Sequence, residues 1–173
     1  RTPRAAVVDS IMADLQFAVA NLRTIDRSKA LGDVNVLSRE VALAYLGRVA
    51  LYEGTYARYV AGDEGRAVPL LQVAAEASAE IVGSGMFSLT PVYHELYGSL
   101  DLSKNPEVLL YKSYVSGILT HSVIGYTNSS TMMSGLTKDA VDSFLCTDGL
   151  PISLSGMYEG SADISQTLAN RDL

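Results

Sequence analysis

From Ala5 onward, apolar positions return every three or four residues. Ala5, Val8, Ile11, Met12, Leu15, Ala18, Val19 and Leu22 form one stripe of a helix ending near Leu22. Thr2 is its expected N-cap, with Pro3 at the first helical position, where a missing N–H forfeits no bond. Residues 23–37 are polar, contain the Gly32-Asp33 turn signal and predict a linker. Ser38 predicts the cap of a second helix over about 39–60, with Glu40 placed favourably against the positive end of the helix dipole. Along it, small residues (Ala42, Ala44, Gly47, Ala50) alternate with large ones (Tyr45, Leu46, Leu51, Tyr52, Tyr56, Tyr59), a pattern that admits a neighbouring backbone closely. After a turn at residues 62–65, Leu70, Leu71, Ala74, Ala77, Ile81 and Val82 carry a third helix from about Arg66. Pro69 sits in its first turn, and Gly83 and Gly85 are its stop.

Antiparallel helices on short turns with small residues in the seams fit tetratricopeptide-type hairpins and equally an ordinary bundle. No motif occurs twice to decide between them. After Gly85 the pattern changes. Thr90-Pro91 predicts a short helix through Tyr97. Residues 107–115, rich in aromatic and β-branched types, predict a strand. Residues 116–135, dense in Gly, Ser, Thr and Asn, predict a long irregular loop of the kind that often carries function. Thr137 predicts the cap of a short helix through about Leu145, Thr147-Asp148-Gly149 a turn, and 153–173 mostly loop. The fold class expected is mainly α with little β: one region over 1–173, with a helical-hairpin scaffold over 1–85 and a loop-rich segment over 86–173.

Composition narrows the function. The 173 residues are 48% apolar and 18% charged, which is globular rather than disordered. Thirteen Lys and Arg against nineteen Asp and Glu give a net charge of −6, without the basic footprint that nucleic acid requires. No apolar run approaches the roughly 20 residues of a spanning helix, and no signal-peptide core follows the N-terminal Arg-Thr-Pro-Arg. The single cysteine, Cys146, forms no internal disulfide. With no cationic neighbour in sequence, it reads as an inert buried thiol.

Catalytic constellations are sparse. Asp139 and Asp142 share a face of a short helix, but acidic residues at a helix start ordinarily offset its dipole. His94 and His121 lie in different segments, without the spacing of zinc ligands, so neither a metal nor a cofactor is expected. Gly83-Ser84-Gly85 ends a helix where a phosphate loop would begin one, and no G-x-S-x-G elbow is present. A hydrolase would need a carboxylate pair in one cleft.

The informative residue type is Tyr, with ten copies against three Phe and no Trp. A phenol ring offers a flat apolar face and a hydroxyl, which suits stacking on a sugar or similar polar ring. Tyr56 and Tyr59, three apart, read first as core between helices and second as such a platform. Tyr126 stands among Thr127, Asn128, Ser129, Ser130 and Thr131, as a binding surface does or as a loop anchored by one buried ring does.

Five stretches then resemble one family. Residues 38–56, SREVALAYLGRVALYEGTY, resemble the "ARVALYEG" helix of the SusD/RagB family. Residues 71–89 resemble its "A…A…E(I/V)…SGKYSL" helix and exit, and Asn105-Pro106-Glu107-Val108-Leu109-Leu110 its "N-x-E-V-I-F" strand. Residues 136–152 resemble "T-x-D-L-V-D-x-Y…D-G-x-P-I", and Asn170-Arg171-Asp172 the start of "N-R-D-P-R". The matches keep the family's order and spacing across most of the chain.

This resemblance implies a SusD-like fold of tetratricopeptide-type helix pairs with loops carrying the ligand. It implies a surface-exposed, lipid-anchored protein of the outer membrane that binds a glycan or other nutrient without catalysis and delivers it to a TonB-dependent, SusC-like transporter. The family's lipidated N-terminal cysteine is missing, and the "N-R-D-P-R" match breaks off after Asp172, so an interior piece of a longer protein is expected. The expected ligand contacts are Tyr126, Thr127 and Asn128, with Tyr114 beside them. The alternative is a scaffold that docks the transporter and makes no ligand contacts of its own.

Overall fold

A computed structural model describes residues 2–90, 92–123, 125 and 135–172. The chain is mainly α and divides into two compact units, Arg1–Ser113 and Tyr114–Leu173. The first unit contains α1 (Arg4–Asn21), α2 (Ile25–Ala30), α3 (Arg39–Tyr56), α4 (Glu64–Gly83) and α5 (Tyr93–Gly98). The second contains α6 (Lys138–Asp142) and α7 (Ile164–Leu168). Among the described residues no strands pair into a sheet; the β structure is two isolated bridges, Val115 with Leu119 and Cys146 with Arg171.

In the first unit α3 is the central rod, with α4 packed along one flank and α1 along another. Its core joins Val8 and Met12 of α1, Leu43, Leu46 and Ala50 of α3, and Ala74 and Ala77 of α4. Around that cluster pack Leu15, Val19, Val49, Leu70, Val73 and Ile81. Each fully buried large apolar side chain contributes roughly 1.5–3 kcal/mol. On α1 the line that is covered, Val8, Met12, Leu15 and Val19, is narrower than the predicted stripe, and Ile11 and Leu22 stay 40% and 38% exposed.

The α3–α4 seam is built from small residues. Gly47, Ala50, Gly54 and Ala57 fall three, four and three apart, so they share one face, and Ala67, Ala74 and Ala77 are buried on α4. A Cβ added to Gly54 would lie 2.8 Å from Leu71 Cγ and 3.2 Å from the Leu71 backbone nitrogen, so the helices meet nearly backbone to backbone. Sequence pattern picked out Gly47 and Ala50 but not Gly54 and Ala57, which complete the seam.

Helix ends follow capping chemistry. The Ser38 hydroxyl, fully buried, accepts the Val41 N–H at 3.3 Å. Asp63 Oδ1 accepts the Arg66 N–H at 3.0 Å, opening α4 two residues earlier than predicted. Between them α3 widens into a π-helical turn, Ala57–Ala61, closed by Gly62 at φ +68°, a left-handed conformation that glycine adopts without a Cβ penalty. The predicted Thr2 cap is corrected: Pro3 holds the N-cap position of α1 and no side chain accepts there. Part of the predicted polar linker is also helix. Thr24 caps α2 by accepting the Arg27 N–H, and the buried Glu40 of α3 accepts the Ile25 N–H at 2.8 Å. Periodicity could not reveal a six-residue helix held by a carboxylate 15 residues away.

The strand predicted over 107–115 does not form. No neighbouring strand supplies a ladder; instead the side chain of Asn35 bonds the Tyr111 backbone N–H and C=O. In the second unit, Arg171 is 7% exposed and donates from Nη2 to the carbonyls of Val141 (2.6 Å) and Phe144 (2.7 Å), satisfying the exit of α6. Cys146 is buried beside it, as its sequence context predicts. The Thr137 hydroxyl caps α6 as expected, accepting the Ala140 N–H, although the helix stops at Asp142 instead of continuing to Leu145.

Candidate functional site

Tyr126, Thr127 and Asn128 lie outside the described residues. Tyr114 is described. It is 47% exposed, and its ring meets that of His121 edge-on, with centroids 4.7 Å apart. Its partner is tied locally, because His121 Nδ1 accepts the Val123 N–H at 3.4 Å. The two rings flank the tight turn bridged by Val115 and Leu119, so Tyr114 is a half-exposed aromatic on a short rigid turn.

A larger aromatic surface lies on α3 and its π-helical extension. Tyr45, Tyr52, Tyr56 and Tyr59 are separated by seven, four and three residues, which aligns them along one face. Leu43, Leu46, Ala50, Gly54 and Ala57, all buried, point the other way, roughly 150° around the helix at 3.6 residues per turn, while Val41, one turn before Tyr45 on the tyrosine side, is buried as well. Tyr45, Tyr52 and Tyr59 are accordingly 53%, 62% and 78% exposed. This corrects the expectation that Tyr56 and Tyr59 belong to the core. The seam with α4 is filled by residues too small to leave room for phenol rings, so the rings are displaced to the outer face. Tyr59 stands in the π-helical turn, a widened backbone form that recurs at functional sites.

Arg4 frames this ladder. Its guanidinium centre lies 4.0 Å from the centroid of Tyr56 and 6.0 Å from that of Tyr52. It is held there by a fork to Glu53, Nη2 to Oε1 at 2.7 Å and Nε to Oε2 at 3.2 Å. The hydrogen bond to Glu53 is the main cause raising the Arg4 pKa above its ordinary value. Tyr56 is thereby half-covered and fixed, while Tyr52 and Tyr59 keep open faces. Farther along, Arg58 forks onto Glu64 at 2.9 and 3.0 Å, neutralising the charge beside Tyr59. The result is a rigid aromatic strip on which Arg4 and Arg58 are paired, while Arg48, three residues after Tyr45 and four before Tyr52 on the same face, is exposed and has no ion pair among the described residues. Tyr45 and Tyr52 read in the sequence only as large residues alternating with small ones on the helix, and Arg4 did not stand out. The readable signal was the 7-4-3 spacing opposite a small-residue stripe.

The remaining candidates stay structural. Asp142 pairs with Lys138 one turn away, and Asp139 occupies the first turn of α6. Among the described residues no group of three or more His, Cys, Asp and Glu side chains is placed to hold a metal ion. No described helix is long and apolar enough to cross a membrane. Compared with known proteins, the chain matches no family model, no curated protein and no solved structure.

Proposed function

We propose that this chain belongs to a non-catalytic binding protein of the SusD/RagB type, which captures a glycan or other nutrient at the cell surface and passes it to a TonB-dependent transporter. The five ordered sequence stretches support the family. The observation that carries the binding role is the exposed ladder of Tyr45, Tyr52 and Tyr59 on a helix whose opposite face is locked into the core. Flat, amphipathic rings on a rigid element stack on pyranose faces at low entropic cost, and their hydroxyls reach the sugar's own. In this reading the chain works in a lipid-anchored protein of the outer membrane, its helices serving as a SusD-like, tetratricopeptide-type frame.

A second reading, docking of the transporter on the same face, is favoured by Leu51 and Val60, exposed beside the ladder at 53% and 68%. Calorimetry and a glycan array on the whole chain separate the two. Saturable glycan binding that Tyr52→Ala and Tyr59→Ala each weaken by about fivefold supports ligand capture. No glycan or peptide bound, with the same variants losing affinity for the transporter, supports docking.

A further inference from the structure

Along α3 and its π-helical extension, all charges but one are answered from within the molecule. Glu40 is buried and accepts the Ile25 N–H, Glu53 holds Arg4, Arg39 pairs with Glu80, and Arg58 pairs with Glu64. Arg48 is the exception. It is exposed, and among the described residues its side chain has neither an ion pair nor a hydrogen bond.

This cation stands in the middle of the tyrosine face. Tyr45 lies three residues before it and Tyr52 four after, about 4.5 Å and 6 Å along the axis at a rise of about 1.5 Å per residue, so both rings are within its reach. Its other two neighbours on the helix surface, Ala44 and Leu51, are uncharged, so α3 offers the guanidinium no carboxylate one turn away in either direction. A second copy packed face to face would bring none either, because both carboxylates of this rod are already held. The anion that answers Arg48 must arrive with a ligand.

Two open phenol rings with a free planar cation between them complement a chain of sugar rings that carries carboxylates. We propose that the ligand of the ladder is an acidic glycan built from uronic-acid units, which rests on the ladder being a glycan site. Pyranose rings stack on Tyr45 and Tyr52, and a carboxylate between them accepts two parallel N–H bonds from Arg48, a fork that a guanidinium supplies and an ammonium does not. The same arrangement already exists inside the molecule: the Arg4 guanidinium lies 4.0 Å from the centroid of the Tyr56 ring while forking onto the Glu53 carboxylate. A neutral glycan would leave Arg48 unanswered.

Titration calorimetry of the whole chain with tetramers of galacturonate, mannuronate and glucuronate, each beside its methyl ester, and with cellotetraose tests it. At least one uronate should bind about fivefold more tightly than its ester, and added salt should erode that preference. Arg48→Gln should abolish the preference, Arg48→Lys should keep only part of it, and Tyr52→Ala should weaken acid and ester together. Both positions are exposed, so the variants keep the fold, which circular dichroism verifies. Equal affinity for acid and ester, a preference that survives Arg48→Gln, or binding of cellotetraose alone overturns the acidic specificity and leaves glycan capture by the ladder standing. No sugar bound up to about 10 mM overturns both.

Discussion

Asn35 and Tyr111, 76 positions apart, are joined as two strands of a sheet would be: Asn35 Nδ2 donates to the Tyr111 carbonyl at 2.7 Å, and the Tyr111 N–H donates to Asn35 Oδ1 at 3.0 Å. A carboxamide carries a donor and an acceptor side by side, so one side chain reproduces a β-bridge. Asn35 does this from φ +53°, in the left-handed region that Asn tolerates better than most residues.

Two substitutions at this position separate its roles. Asn35→Gly keeps the backbone conformation and removes both bonds, and should cost about 1–2 kcal/mol in chemical denaturation. Asn35→Ala removes the bonds and adds the left-handed penalty, for about 1 kcal/mol more. Equal losses would show that the backbone conformation is not enforced.

The α3–α4 seam predicts opposite results at its two glycines. In Gly54→Ala the new methyl meets the Leu71 side chain at 2.8 Å and its backbone at 3.2 Å, so overpacking of about 1–3 kcal/mol outweighs the gain in helix propensity. In Gly47→Ala the nearest atom is the Ser78 hydroxyl at 3.2 Å, which can rotate away, and the change should be near neutral or slightly stabilising. Thermal melts of the two variants give the comparison directly.

Core and ladder should respond differently to truncation. Leu46→Ala, at 6% exposure within the core cluster, should destabilise by about 2–5 kcal/mol. Tyr59→Ala, at 78% exposure, should change stability by no more than about 0.5 kcal/mol while reducing ligand binding. A large stability loss at Tyr59 would return it to the core that the sequence pattern first suggested.

Arg171 predicts a localised weakness in the second unit. Arg171→Ala strips two carbonyls of a charged donor at the end of α6 and should cost about 3 kcal/mol. Amide exchange should accelerate through Val141–Thr147 and leave the α3–α4 seam unchanged.

Acid should weaken one turn of the same unit. Asp148 accepts the Ser155 hydroxyl at 2.7 Å and the Leu150 N–H at 3.0 Å, and the Ser155 bond is the chief cause holding its pKa below the ordinary carboxylate value. A folded pKa below the unfolded one gives stability that is complete above about pH 4 and fades as pH falls through the folded value. The advantage of wild type over Asp148→Asn in urea midpoint should therefore shrink between roughly pH 5 and pH 2.

Much of the first unit was legible because its signals are local. Ser38 and the Gly83-Ser84-Gly85 stop act within one helical turn, as Thr137 does in the second unit, and the apolar repeat on α4 lies in plain view. Residues 107–115 were misread because strand composition says nothing about whether a partner strand arrives, and here only one Asn side chain does. Helix α2 escaped because its support comes from Thr24 and from Glu40 of a later helix. The tyrosine ladder was half visible. Its spacing was present, but which side of α3 met α4 depended on Gly54 and Ala57, whose significance appears only when Leu71 stands against them.

Because Gly54 lets α3 approach the main chain of α4 at Leu71, the gap between these rods is set by the small residues of the seam and not by the rings on the other face. The outward rings are released from any duty of spacing the pair. Descendants of this sequence can exchange them for other side chains without rebuilding the support beneath.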